Sequence, residues 1–102
     1  MAGLEIETMQ ANAGEVARLL KMLSNRNRLL VLCALVTRDH TAGELETLTG
    51  LSQPAISQHL AKLRHADIVA TRRDAQRIIY SLREPNVRAV IETLHTIYCP
   101  DL

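Results

Sequence analysis

One stretch constrains this chain more than any other: Leu51-Ser-Gln-Pro-Ala-Ile-Ser-Gln-His-Leu-Ala-Lys-Leu-Arg64. Ile56, Leu60 and Leu63 fall at i, i+4 and i+7, which lays one apolar stripe along a helix. Ser52 offers a side-chain oxygen at the N-cap, and Pro54 stands in the first turn, where a missing N–H costs nothing. The remaining face carries Gln53, Ser57, Gln58, His59 and Lys62 and no acid. Gln and Ser present donors and acceptors that suit base edges, whereas Lys62 and Arg64 suit phosphates. An apolar back and a polar, acid-free front describe a DNA recognition helix.

The flanking residues supply its setting. Thr41-Ala-Gly-Glu44 has the spacing of a capping box, with Thr at the N-cap and Glu at N3, and opens a short helix through Leu48. Thr49-Gly50-Leu51 is a turn with glycine available for a left-handed position, so residues 41–65 read helix–turn–helix. Beyond Asp67 the period changes from 3.6 to 2. Residues 68–73 and 77–82 are β-branched and alternating, separated by Asp74-Ala75-Gln76, which predicts a β-hairpin over 68–82. Arg72, Arg73 and Arg77 cluster at its tip, within reach of a phosphate backbone or a minor groove. Taken alone such a charge run is usually a solvated face, and a helix–turn–helix pattern is often just two packed helices. The order helix–turn–helix–wing is far more specific.

Outside this segment the pattern is helical. Residues 8–23 place Val16, Leu19, Leu20 and Leu23 on one side. Ser24-Asn25 caps a second helix, 26–37, with Leu29, Leu30, Leu32, Cys33 and Val36 as its apolar set, and Arg38-Asp39-His40 is a polar break. Glu84-Pro85 starts a last helix to Tyr98, with Val87, Val90, Ile91, Leu94, Ile97 and Tyr98 apolar, and Pro100 stops it. The expected fold is therefore mainly α with a two-stranded β wing, a single domain over 1–102 in the order α1-α2-α3-α4-β1-β2-α5.

Net charge is only +1, but its distribution is uneven. Residues 1–51 hold 5 basic and 6 acidic side chains, residues 52–83 hold 6 and 2, and residues 84–102 hold 1 and 3. The positive third contains the recognition stretch and hairpin, as a phosphate-binding surface requires. With 47% hydrophobic residues but no Trp or Phe, aliphatic side chains must fill the core, and a dimer would bury more apolar surface. No run of 18 apolar residues and no signal-peptide pattern is present, so a cytoplasmic protein with no membrane partner is expected. Nothing implies a cofactor. There is no phosphate loop and no nucleophile–base pair beyond His95 and Cys99 on a helix end, which argues against an enzyme.

The chain resembles the ArsR/SmtB family of dimeric winged-helix repressors. The matching pieces are Leu23-Ser-Asn-x-x-Arg28-Leu29, Gly43-Glu44-Leu45, the run Leu51 to Leu60, Leu63-Arg64, and the Arg-rich wing ending at Ile79-Tyr80. The resemblance covers essentially the whole chain. It implies a homodimer built on the first and last helices (8–23 and 84–98), presenting two recognition helices to a palindromic double-stranded operator. Two-fold geometry places the half-sites about one helical turn, roughly 34–36 Å, apart.

Members of this family commonly sense metals. Aligning on Glu44-Leu45 puts Thr41 and Gly43 where the thiolate ligands of the third helix would stand, and the last helix offers only Glu92 and His95. Neither familiar metal site is expected. What remains is Cys33 in the second helix and Cys99 at the end of the last. Their residue types alone leave inert packing, metal ligation and redox chemistry open. Their placement, with the ending Leu94-His-x-x-Tyr-Cys99, resembles the sulfide-responsive branch of the family (the BigR, SqrR and HlyU type). That resemblance implies a Cys33–Cys99 sensing pair that persulfides or polysulfides link through sulfur, with release of DNA. Cys99, with His95 one turn earlier as a tuner of its thiol, is the better first nucleophile. The alternatives are the same repressor answering a thiophilic metal or peroxide, relief of silencing in place of repression, and a regulator or interaction module that senses nothing.

Overall fold

The computed structural model describes residues 5–100. The elements are α1 (Ile6–Leu23), α2 (Arg26–Thr37), β1 (His40–Thr41), α3 (Ala42–Thr49), α4 (Gln53–His65), β2 (Val69–Asp74), β3 (Arg77–Leu82) and α5 (Pro85–Tyr98). Five helices and an antiparallel hairpin follow the expected order, and the boundaries are set by local chemistry. The Asn25 side chain accepts from the Asn27 and Arg28 N–H groups and starts α2. Thr41 accepts from the Glu44 N–H at 3.1 Å while Glu44 Oε1 accepts from the Thr41 N–H at 2.9 Å, so the capping box is complete. Gly50 ends α3 at φ 74°, where a side chain would be strained. Ser52 caps α4 through the Ala55 N–H.

Thr41→Ala removes the N-cap acceptor of α3 and is expected to destabilise the protein by about 1 kcal/mol. Urea unfolding with an unchanged m-value is the check.

The sheet has one strand more than expected. Residues His40 and Thr41, within and just after the polar break, pair with Tyr80 and Ile79, giving the order β1-β3-β2. Two residues are too few to show a period, and the pairing depends on a strand forty positions away. Its consequence is burial of His40, 2% exposed, whose ring nitrogens have no hydrogen-bond partner among the described residues. Its Nδ1 lies 3.4 Å from Glu44 Oε1 without hydrogen-bond geometry. Asp74 joins β2, which leaves Ala75-Gln76 as a two-residue turn with Ala75 at φ 58°.

The core gathers the α4 stripe Ile56, Leu60 and Leu63 with Leu23, Leu45, Val87 and Ile91. In α2 the fully buried face is Val31, Leu32 and Leu35, while Leu29, Cys33 and Val36 are half-buried. The expected apolar set of α2 omitted Val31 and Leu35. This helix is apolar around its circumference because other elements pack on several sides of it, so periodicity could not choose a face.

The reverse holds for α1. Only Leu23 is buried in this helix, and Ile6, Met9, Val16 and Leu20 remain 38–63% exposed. The α5 end leaves Ile97 and Tyr98 exposed as well. The Cα radius of gyration is 15.1 Å, against about 13 Å for a compact chain of this length.

Candidate nucleic-acid interface and dithiol site

The α4 face is preformed by its own side chains. Gln53 Nε2 donates to Ser57 Oγ at 3.1 Å, so two of the polar groups orient one another across one turn. Ser52 is committed to its capping bond, and Gln58 and Lys62 are exposed. His59 is half-buried at the edge of this face. Burial lowers its pKa, and the charges of Arg28 and Lys62 lower it further, so the ring stays neutral and can both donate and accept.

The wing arginines do not act as one cluster. Arg72 stands opposite Ile79, and its Nη1 is 2.6 Å from Asp39 Oδ2, in the segment before β1. Arg73 pairs with Ile78 and Arg77 with Asp74, nearer the turn. Alternation along the strands puts Arg72 and Arg77 on one face of the ribbon and Arg73 on the other. Among the described residues neither Arg73 nor Arg77 has a carboxylate within 4.0 Å.

The two cysteines stand on different helices, α2 and the end of α5. Cys33 is half-buried on α2, and Cys99 is the C-cap of α5, its N–H donating to the His95 carbonyl at 2.8 Å. Both thiols are free. Burial pushes the Cys33 thiol up, and the charge of Cys99 pushes it further. A cleft of about 310 Å³ between α2 and α5 is lined by Cys33, Val36, Ile91, Glu92 and His95. Arg88 Nη1 donates to the Val36 carbonyl at 3.0 Å and ties α5 to the last turn of α2 beside this cleft. Sequence reasoning missed Arg88, because its partner is a backbone atom 52 residues away. Arg28 is likewise a tie: its Nε donates to the Met22 carbonyl at 2.8 Å and joins α2 to the end of α1. No three His, Cys, Asp or Glu side chains converge among the described residues.

The model of the bacterial regulatory proteins of the arsR family matches residues 25–71, from the start of α2 into the wing. YgaV, an HTH-type transcriptional regulator of Escherichia coli K12, is 48% identical over 94% of this chain and 98% of its own length. The chain belongs to the ArsR family. Within that family its similarity runs to the BigR and HlyU branch. The crystal structure of the repressor BigR from Xylella fastidiosa superposes with a TM-score of 0.89 at 43% identity, covering 94% of this chain and 98% of that one. Reduced HlyU from Vibrio cholerae N16961 gives 0.84 at 43% identity, covering 91% and 98%. This ArsR-family protein is thus a winged-helix transcriptional regulator rather than an enzyme. No helix among its described residues is long and apolar enough to cross a membrane.

Proposed function

We propose that this ArsR-family protein is a homodimeric repressor of a palindromic operator, and that it releases DNA when persulfides link Cys33 to Cys99. The observation that carries the sensing half is that Cys33 opens onto a cleft between α2 and α5, the helix that Cys99 caps, and that the charge of Cys99 acts on the Cys33 thiol. The dimer reading is supported by the exposed apolar stripes of α1 and of the α5 end. In this reading 8–23 and 84–98 are dimerisation helices, 41–65 is the helix–turn–helix and 68–82 the wing. Gln53, Ser57, Gln58 and His59 face bases, with Ser52 and Lys62 beside them, while Arg73 and Arg77 are the wing groups free to meet phosphate. Arg72 enters only by leaving Asp39. Among the similar proteins BigR is a repressor and HlyU an activator.

The chemistry balances without an outside oxidant. Burial, with the charge of Cys99 behind it, raises the Cys33 pKa and disfavours its thiolate, so the first attack is assigned to Cys99. It takes the outer sulfur of a glutathione persulfide and expels glutathione thiolate. A second transfer lengthens the chain by one sulfur. The Cys33 thiolate then attacks the middle sulfur and expels hydrosulfide, so two persulfides yield a trisulfide, two glutathiones and one hydrogen sulfide. A plain disulfide needs Cα atoms within about 7 Å, and each added sulfur relaxes that limit. This is the physical basis for preferring persulfide to peroxide.

Intact mass after separate treatment with glutathione persulfide, hydrogen peroxide and oxidised glutathione is the test. A gain of whole sulfur atoms less two hydrogens, from persulfide alone, is expected. An identical two-hydrogen loss in all three would reduce the site to an ordinary dithiol. Operator release by zinc or copper(I) with the cysteines unmodified would favour a metal instead.

A further inference from the structure

We propose that the cleft between α1 and α4 is a second phosphate-binding surface, which holds the DNA strand on the side of the recognition helix away from the wing. The proposal rests on the operator-binding reading and adds residues that reading does not contain. The cleft, about 760 Å³, is lined by Arg18 and Lys21 of α1, Arg28 of α2, and Lys62 and His65 of α4, with Met22 beneath them. No carboxylate lines it. The described ion pairs engage Arg38, Arg72 and Arg83, and leave Arg18, Lys21, Arg28 and Lys62 without an acid within 4.0 Å among the described residues.

Position argues for DNA as the occupant. A second cleft, about 570 Å³, lies on the other flank of α4 and is lined by Ser57, Arg64, His65 and the wing residue Tyr80. The two clefts share Ala61 and His65, so they bracket the recognition helix. A helix seated in a major groove about 12 Å wide lies between two rows of phosphates. The wing side can meet one row; only the α1 side can meet the other.

Charge and order agree with that placement. Arg28 is fixed by its bonds to the Met22 and Lys21 carbonyls, so its positive charge is positioned without loss of side-chain freedom on binding. Burial first, and then the charges of Arg28 and Lys62, lower the pKa of His59 at this edge. Like charges brought together repel, and a solvated face has no need to gather them. Arg18 and Lys21 lie one turn apart on the far side of α1 from Val16 and Leu20, so pairing through that apolar stripe leaves them open.

The test is the salt dependence of affinity for operator and for unrelated duplex, comparing the wild type with the double variant Arg18→Ala/Lys21→Ala. Both side chains are exposed, and an unchanged melting curve confirms the fold. Each phosphate contact contributes about 0.9 to the slope of log affinity against log salt. Two contacts per subunit make the variant's slope shallower by roughly 3 to 4 per dimer, equally on both DNAs. Between roughly 50 and 200 mM salt the wild type then loses about 100-fold more affinity than the variant. An unchanged slope in a variant that still binds operator overturns this proposal and leaves the operator reading standing. A wild type without salt-dependent affinity overturns both.

Discussion

Cys99→Ser is expected to bind operator within about twofold of the wild type, because Cys99 caps α5 and is not part of the helix–turn–helix or wing, and to stay bound when glutathione persulfide is added. The wild type is expected to lose roughly 5–150-fold in affinity under the same treatment, the range spanned by couplings of 1–3 kcal/mol. The reasoning is structural. Cys33 belongs to the body that carries the helix–turn–helix, and Cys99 caps α5, whose last residues Ile97 and Tyr98 are exposed. In the proposed dimer a sulfur bridge between them fixes the reading head against the dimer axis at an angle the free thiols do not impose. Cys33→Ser should behave alike, with some loss of stability because its hydroxyl enters a half-buried apolar setting. Fluorescence anisotropy with and without persulfide measures both quantities. Release of either single variant to the wild-type extent would remove the dithiol from the mechanism.

Gln58→Ala is expected to have the opposite signature to the loss of a phosphate contact. Gln58 is exposed, uncharged and without a side-chain partner among the described residues, whereas Gln53 is already bonded to Ser57. A good bidentate contact to a base discriminates by about 1–3 kcal/mol, and a two-fold dimer makes it twice. Operator affinity should therefore fall roughly 30-fold or more. Affinity for unrelated duplex and the salt slope should not move, because no charge is removed. Equal losses on operator and unrelated DNA would place Gln58 against the backbone rather than a base.

How much of this could be read from the chain divides by distance along it. The caps at Asn25, Thr41 and Ser52, the glycine at 50 and the α4 stripe are local, and each stands where its residue types require. The proposal that Cys33 and Cys99 act together came only through family resemblance, since spacing alone does not bring residues 33 and 99 together. β1, the Arg72–Asp39 ion pair and the Arg88–Val36 bond join residues 33 to 52 positions apart, or pair two residues too short for a pattern. None leaves a periodic trace. The tie at Arg72 matters most here. From sequence the three wing arginines were equivalent, and in the fold one of them is neutralised and set apart from the tip.

The hydrogen bond from Arg88 to the Val36 carbonyl bears on how the switch transmits force. Among the described residues it is the one side-chain hydrogen bond between α5 and α2, and the rest of their contact is apolar packing, which is non-directional. Cys33 lines the cleft one turn before Val36 on α2, and Cys99 caps the far end of α5. A sulfur bridge there adds a second pin, and two pins convert a hinge into a strut. In the proposed switch the reduced protein is left free to adjust the angle of its reading head to its operator. The bridged protein would be held to one angle, and would lose its DNA through stiffness rather than through any change in the surface that reads it.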